Sequence, residues 1–147
     1  MFAGIGIALV GAGVVGGMTF FGGETPPEGE AAAEEAAPSE GPALYTSLHP
    51  PLVVNFKDSI GESHFMQITM EVMARDQNII NSVREHTPVI RNALILLYSS
   101  AVYEEVTTRT GKEKMLADGL AEIQKVMTEQ TGEPGVQAVY FTALVSQ

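Results

Sequence analysis

No cysteine occurs among the 147 residues. A disulfide framework, a thiolate metal site and a cysteine nucleophile are therefore excluded. Basic charge is also scarce: 8 Lys and Arg stand against 18 Asp and Glu, a net charge of −10. Nucleic acid, which is bound through a basic footprint, is excluded as a partner on that ground. The deficit is uneven along the chain. Met1–Gly23 carries no charged side chain, and Glu24–Glu40 has six Glu with no Lys or Arg. Beyond it, 12 acidic residues face 8 basic ones, a net charge of only −4. The low isoelectric point belongs mostly to the acidic stretch.

What the opening segment does have is apolar length. Met1–Gly23 contains one weakly polar residue, Thr19. A helix of about 20 residues spans roughly 30 Å, the thickness of the hydrocarbon layer. A single transmembrane helix is predicted over 1–23. Its glycines would weaken a helix in water, but in a bilayer small residues let helices approach closely. Gly13 and Gly17 form one small-xxx-small pair, and Ala12 and Gly16 lie on a second row. These four are candidates for packing against partner membrane helices; the other reading is that glycine is simply common in such spans. A cleaved signal peptide would want a positive n-region and a small-residue cleavage site, and neither is evident. Residues 24–43 are rich in Pro, Glu, Ala and Gly, with Thr25 the one β-branched residue and no aromatic. Such a segment cannot bury enough apolar surface to offset its ordering entropy, so a disordered tether is expected. Its flexible reach is on the order of 25 Å. The acidic tether favours the non-cytoplasmic side for everything after it.

Residues 44–147 are long enough for one core. Leu52–Phe56 follows Pro50–Pro51 and reads as a short strand. His64–Arg75 alternates, with Met66, Ile68, Met70, Val72 and Ala74 on one face and Phe65, Gln67, Thr69 and Glu71 on the other. That period of two predicts a half-buried strand, paired with the first as a hairpin. Asp76 is placed to cap a helix over Gln77–His86 whose inner face is Ile79, Ile80 and Val83. Thr87 and Pro88 read as the N-cap and first position of a second helix with Ile90, Leu94 and Leu97 inward. Thr110–Glu113 fits a capping box opening a third, with Leu116, Leu120, Ile123 and Met127 as its stripe and Gly132 and Pro134 as its end. Val136–Val145 reads as a final strand. The expected order is β-β-α-α-α-β, an α/β (α+β) domain with a three-stranded sheet covered by helices.

A site for chemistry is not apparent. His49, His64 and His86 are scattered, none at ligand spacing to a carboxylate or another His. Gly111–Lys112 is not a phosphate-binding loop, because no Gly stands five residues earlier and Glu113 replaces Ser or Thr. Glu104 and Glu105 read as a solvated edge, and Met66, Met70 and Met73 as core filling. No catalytic, cofactor or metal residue is assigned. An anchor, a tether and a small domain without convergent polar groups point to binding or assembly rather than catalysis.

Several segments resemble the family of FliL, the flagellar basal body-associated protein. Tyr45, Leu48 and Pro51–Phe56 look like its opening strand, and His64–Val72 like its second. Ile90–Ser99 is similar to its middle helix, where Ile-Arg-Asn precedes an aliphatic run. Thr107–Lys114, with Thr110–Glu113, resembles the start of its long helix, and Val139–Thr142 through Val145–Gln147 its C-terminus. Family members usually carry a short basic stub before the anchor, and Met1–Gly23 shows none. The resemblance implies a stomatin-type (SPFH) fold and no catalytic residue. It implies a single-pass inner-membrane protein with its C-terminal domain in the periplasm. It implies self-association into a ring and partnership with the stator proteins MotA and MotB at the basal body, in support of swimming and swarming. Two other readings stay open: a stomatin-like membrane scaffold unrelated to motility, and an exported enzyme or ligand-binding domain released by cleavage.

Overall fold

The computed structural model describes residues 41–147. The expected membrane span, with Gly13, Gly17, Ala12 and Gly16, and nearly all of the expected tether lie outside the described residues. Among the described residues no helix is long and apolar enough to cross a membrane.

The elements run β1 (Leu44–Ser47), β2 (Leu52–Lys57), β3 (Ser63–Ala74), α1 (Gln77–Glu85), α2 (Thr87–Tyr98), α3 (Tyr103–Val106), α4 (Arg109–Thr131) and β4 (Ala138–Ser146). All sheet pairing is antiparallel and passes through β3, which bonds β1, β2 and β4. Glu71–Met73 pair with β1 and β4 at once, and Met66–Ile68 with β2 and β4 at once. A strand has only two edges, so β1 and β2 follow each other along one and β4 holds the other. The sheet thus has four strands rather than the expected three, and is three rows wide because its first row is broken in two.

The break has a register. Ser47 lies opposite Glu71 and Leu52 opposite Ile68, so four residues, Leu48–Pro51, face only Thr69 and Met70. The His49–Pro50 peptide in this link is cis. Proline cannot donate to the ladder, so the local signal starts a strand only after Pro51 and leaves β1 hidden before it. Carbonyls freed by the break find a donor in α2: Arg91 bonds the Leu48 carbonyl (3.1 Å), the Pro50 carbonyl and the Pro51 carbonyl (3.4 Å). On the opposite edge the β3–β4 register shifts between Thr69 and Met70, leaving Thr142 as the extra residue. Both neighbours of β3 thus bulge at one level, which bends the sheet there.

Alternation in β3 places Met66, Ile68, Met70, Val72 and Ala74 under the helices, all buried. Each of the larger side chains contributes about 1.5–3 kcal/mol by leaving water. Leu52, Val54 and Phe56 extend this layer from β2. Above it sit Ile79, Ile80 and Val83 of α1, Ile90, Leu94 and Tyr98 of α2, and Met115, Ile123, Val126 and Met127 of α4.

The helix starts follow their local capping signals only in part. The Asp76 carboxylate accepts the Asn78 N–H at 2.7 Å and caps α1 as expected. For α2 the capping position is His86, and Thr87 is already helical, its hydroxyl donating to the Val83 carbonyl at 2.8 Å. The long helix begins one turn earlier than Thr110. Thr108 is its N-cap, accepting the Gly111 N–H at 2.9 Å, while Glu113 pairs with Arg109 instead of closing a capping box. The short α3 was not anticipated. The inner stripe of α4 is also rotated from expectation: Met115 and Gly119 are buried, whereas Leu116 and Leu120 are half-buried. Gly119 explains the rotation, because its bare backbone meets the Tyr98 ring. A Cβ there would lie 2.2 Å from Tyr98 Oη. Tyr98 Oη donates to the Met115 carbonyl at 2.9 Å, so the ring cannot swing aside without losing that bond. Val136 precedes the last strand rather than opening it; its carbonyl accepts from Gln124 Nε2 at 2.8 Å.

Gly119→Ala is expected to destabilise the domain by about 1–3 kcal/mol, as overpacking does. Urea denaturation should show it, and a midpoint equal to the parent's would contradict the close crossing of α2 and α4.

Candidate functional site

The helices cover one face of the sheet and leave the other bare. On the bare face of β3 lie Phe65, Gln67, Thr69, Glu71 and Met73, as alternation predicts. Cross-strand neighbours complete it. Val53 and Val145 flank Gln67, Asn55 lies beside Phe65, Tyr45 beside Met73 and Tyr140 beside Glu71. Tyr45, Val53, Phe65, Tyr140 and Val145 are each 44–59% exposed although their side chains are large and apolar. Scattered exposed apolar residues are ordinary, but five on one face of one sheet form a surface with an interaction role.

The double bulge divides this face. On one side Val53, Phe65 and Val145 line a shallow depression with Gln67 and Gln147. On the other, Tyr45 and Tyr140 meet diagonally across β3, ring centroids 6.2 Å apart. Thr69 and Glu71 lie between. Two apolar patches with a polar divide suit contact with another macromolecule rather than enclosure of a small ligand.

A second constellation sits at the β2–β3 turn. Asp58 and His64 are six residues apart and looked unconnected by spacing. The hairpin closes on Gly61 (φ 88°) and brings Asp58 Oδ2 to 2.9 Å from His64 Nε2. Asp58 Oδ1 accepts the Ile60 N–H (3.0 Å) and the Glu62 N–H (2.8 Å). The imidazole stacks on Tyr103 of α3, centroids 3.9 Å apart and rings 11° from parallel. Tyr103 Oη and Ser146 Oγ share a hydrogen bond of 2.6 Å, and Glu104 accepts the Ser59 N–H at 2.8 Å. The turn, α3 and the end of β4 are thereby tied together. The expectation that no histidine meets a carboxylate is corrected here. The signal was available: a strand pair already predicted as a hairpin brings the residues flanking its turn together. His49 is exposed, and His86 is half-buried at the junction of α1 and α2.

Electrostatics follow from these contacts. The hydrogen bond from His64, aided by the two backbone donors, holds the Asp58 carboxyl below its ordinary value. The Ser59 N–H does the same for Glu104. Burial pushes the Tyr98 phenol well up. A cleft of about 250 Å³ between α2, α3 and α4 is lined by Tyr98, Met115 and Glu105 and by the Lys114–Asp118 ion pair. The hydrogen bond and charge of Asp118 raise Lys114 further. Gly111–Lys112 lies in the first turns of α4, as a helix rather than a phosphate loop.

Among the described residues this is a small α/β module with helices on one face of an antiparallel sheet and a half-apolar exposed face on the other, the class of domain that presents a surface rather than a pocket. Comparison with known proteins gives the particular family. The model for flagellar basal body-associated protein FliL matches residues 45–147. The flagellar protein FliL of Aquifex aeolicus (strain VF5) is 34% identical over 116 residues, covering 78% of this chain and 68% of that protein. The chain belongs to the FliL family, and its role is that of an accessory protein of the flagellar basal body.

Carboxyls held below their ordinary range stabilise the fold above that range, and the contribution is lost as pH falls through the folded-state value. Acid unfolding below about pH 4 should therefore loosen the β2–β3 turn first. Asp58→Asn should flatten the acid limb of stability against pH, measured by urea unfolding at stepped pH. An acid limb as steep as the parent's would show that the turn contributes nothing.

Proposed function

We propose that the protein is a non-enzymatic motor accessory, held in the inner membrane by one helix over Met1–Gly23 with residues 44–147 in the periplasm. It associates there with the stator proteins MotA and MotB and with further copies of itself, as a ring of stomatin (SPFH) type, and supports torque for swimming and swarming. Family membership carries this reading. The uncharged opening sequence supports the anchor, and the bare sheet face of Tyr45, Val53, Phe65, Tyr140 and Val145 supports a protein partner.

The physical logic is confinement followed by selection. Two proteins held in one membrane meet at a high effective concentration, so a modest patch suffices for occupancy. A partner with an active and an inactive arrangement shifts toward the active one only if the domain binds that one more tightly. The bare face supplies the differential contact: aromatic and aliphatic groups that gain by burial, around polar groups that fix orientation.

The paired substitution Val53→Glu and Val145→Glu puts two carboxylates into one patch without touching the core. Swarming and stator occupancy should fall while flagella still assemble and the domain's unfolding free energy stays within about 0.5 kcal/mol of the parent. Normal swarming and occupancy in this variant and in a deletion of residues 44–147 would favour a membrane scaffold unrelated to motility.

A further inference from the structure

We propose that Asp58, Glu62 and His64 form a binding site for a first-row divalent cation of the zinc type. One ligand atom from each lies within 4.8 Å of the others. An ion bonded tetrahedrally at about 2.0–2.2 Å to imidazole nitrogen and carboxylate oxygen holds such atoms roughly 3.3–3.6 Å apart. Asp58 Oδ2 and His64 Nε2, hydrogen-bonded at 2.9 Å, need separate by only about half an ångström to admit it. Glu62 is exposed on the turn, with a carboxylate oxygen within 4.8 Å of the other two ligand atoms.

The first two ligands are held in place. Two backbone N–H groups grip Asp58 Oδ1 and leave Oδ2 aimed at the imidazole. Tyr103 fixes the plane of the ring from one side and is itself tied to Ser146. Orientation of this kind normally comes from groups behind the ligands.

Charge points the same way. Asp58 and Glu62 lie beside one imidazole, and Glu104, which accepts the Ser59 N–H, lies close enough to Asp58 to feel its charge. Among the described residues, the ion pairs made by Lys and Arg are all on α4. Lys57 belongs to the bare face of the hairpin, opposite to His64, because side chains alternate along β2. A cation would supply the missing positive charge.

The donor set selects the ion. Magnesium and calcium prefer oxygen alone, whereas imidazole with carboxylate suits zinc and its neighbours. Three protein ligands leave positions for water or for a side chain of a bound partner. Binding uses the lone pair of Nε2, so a proton there must leave or move to Nδ1, and affinity weakens as pH is lowered.

The test is a calorimetric titration of the full-length protein in detergent with zinc chloride, repeated with cobalt to read the visible absorption of a coordinated ion. A saturable event that excess magnesium does not displace is expected. His64→Gln should weaken it by roughly tenfold or more. Glu62→Gln, an exposed turn substitution that leaves the core intact, should also weaken it and shift the cobalt spectrum. No saturable uptake would overturn the site, as would uptake unchanged in both variants, which would place the ion on the glutamates of Glu24–Glu40.

Discussion

Everything in this fold leans on the alternation of one strand. β3 bonds its neighbours on both edges and buries every second side chain from Met66 to Ala74. A slip of one residue would send Phe65, Gln67, Thr69, Glu71 and Met73 under the helices and turn the core outward. The buried layer makes that slip prohibitive, so the bare face is set by the same pattern that makes the core. Core and candidate surface are two sides of a single periodicity.

The bulges opposite Thr69 and Met70 show what alternation alone does not specify. Two prolines open the first row and one extra residue, Thr142, opens the last, both at the same level of β3. Arg91 compensates for the first by donating to the carbonyls of the link. Arg75 and Arg84 hold the chain leading into it, through the Gly41 carbonyl (2.6 Å) and Thr46 Oγ1 (3.1 Å). Three arginines are thus spent on backbone and hydroxyl oxygens of residues 41–51. This explains how a four-residue strand just before two prolines is held in place.

Legibility in the sequence followed the strength of the local signal. The β3 alternation, the Asp76 cap and the stripe of α1 depend on neighbours close in sequence, and were readable; in α2 Ile90 and Leu94 face inward as expected, but Tyr98 is the third buried residue and Leu97 is half-buried. The rotation of α4 was not, because it is decided by Gly119 against Tyr98, a contact between helices. Thr110–Glu113 matched a capping motif, but Thr108 reached the free N–H groups first, so the motif ended up inside the helix. Tyr45 joins the bare face through β1, which proline concealed, and Tyr140 through a register that the bulge shifts by one. The Asp58–His64 contact needed the hairpin to close before six residues became 2.9 Å.

Among the described residues, this exposed sheet face with its five large apolar side chains is the surface on which a partner would gain most by burial, and family membership says which assembly to examine. The direct measurement is photo-crosslinking in motile cells from a reactive residue at Val53, compared with one at the exposed Glu129 of α4. Adducts with stator subunits or with neighbouring copies from Val53 and none from Glu129 are the predicted result. Adducts from Glu129 with none from Val53 would mean that the helices, and not the bare sheet, meet the motor.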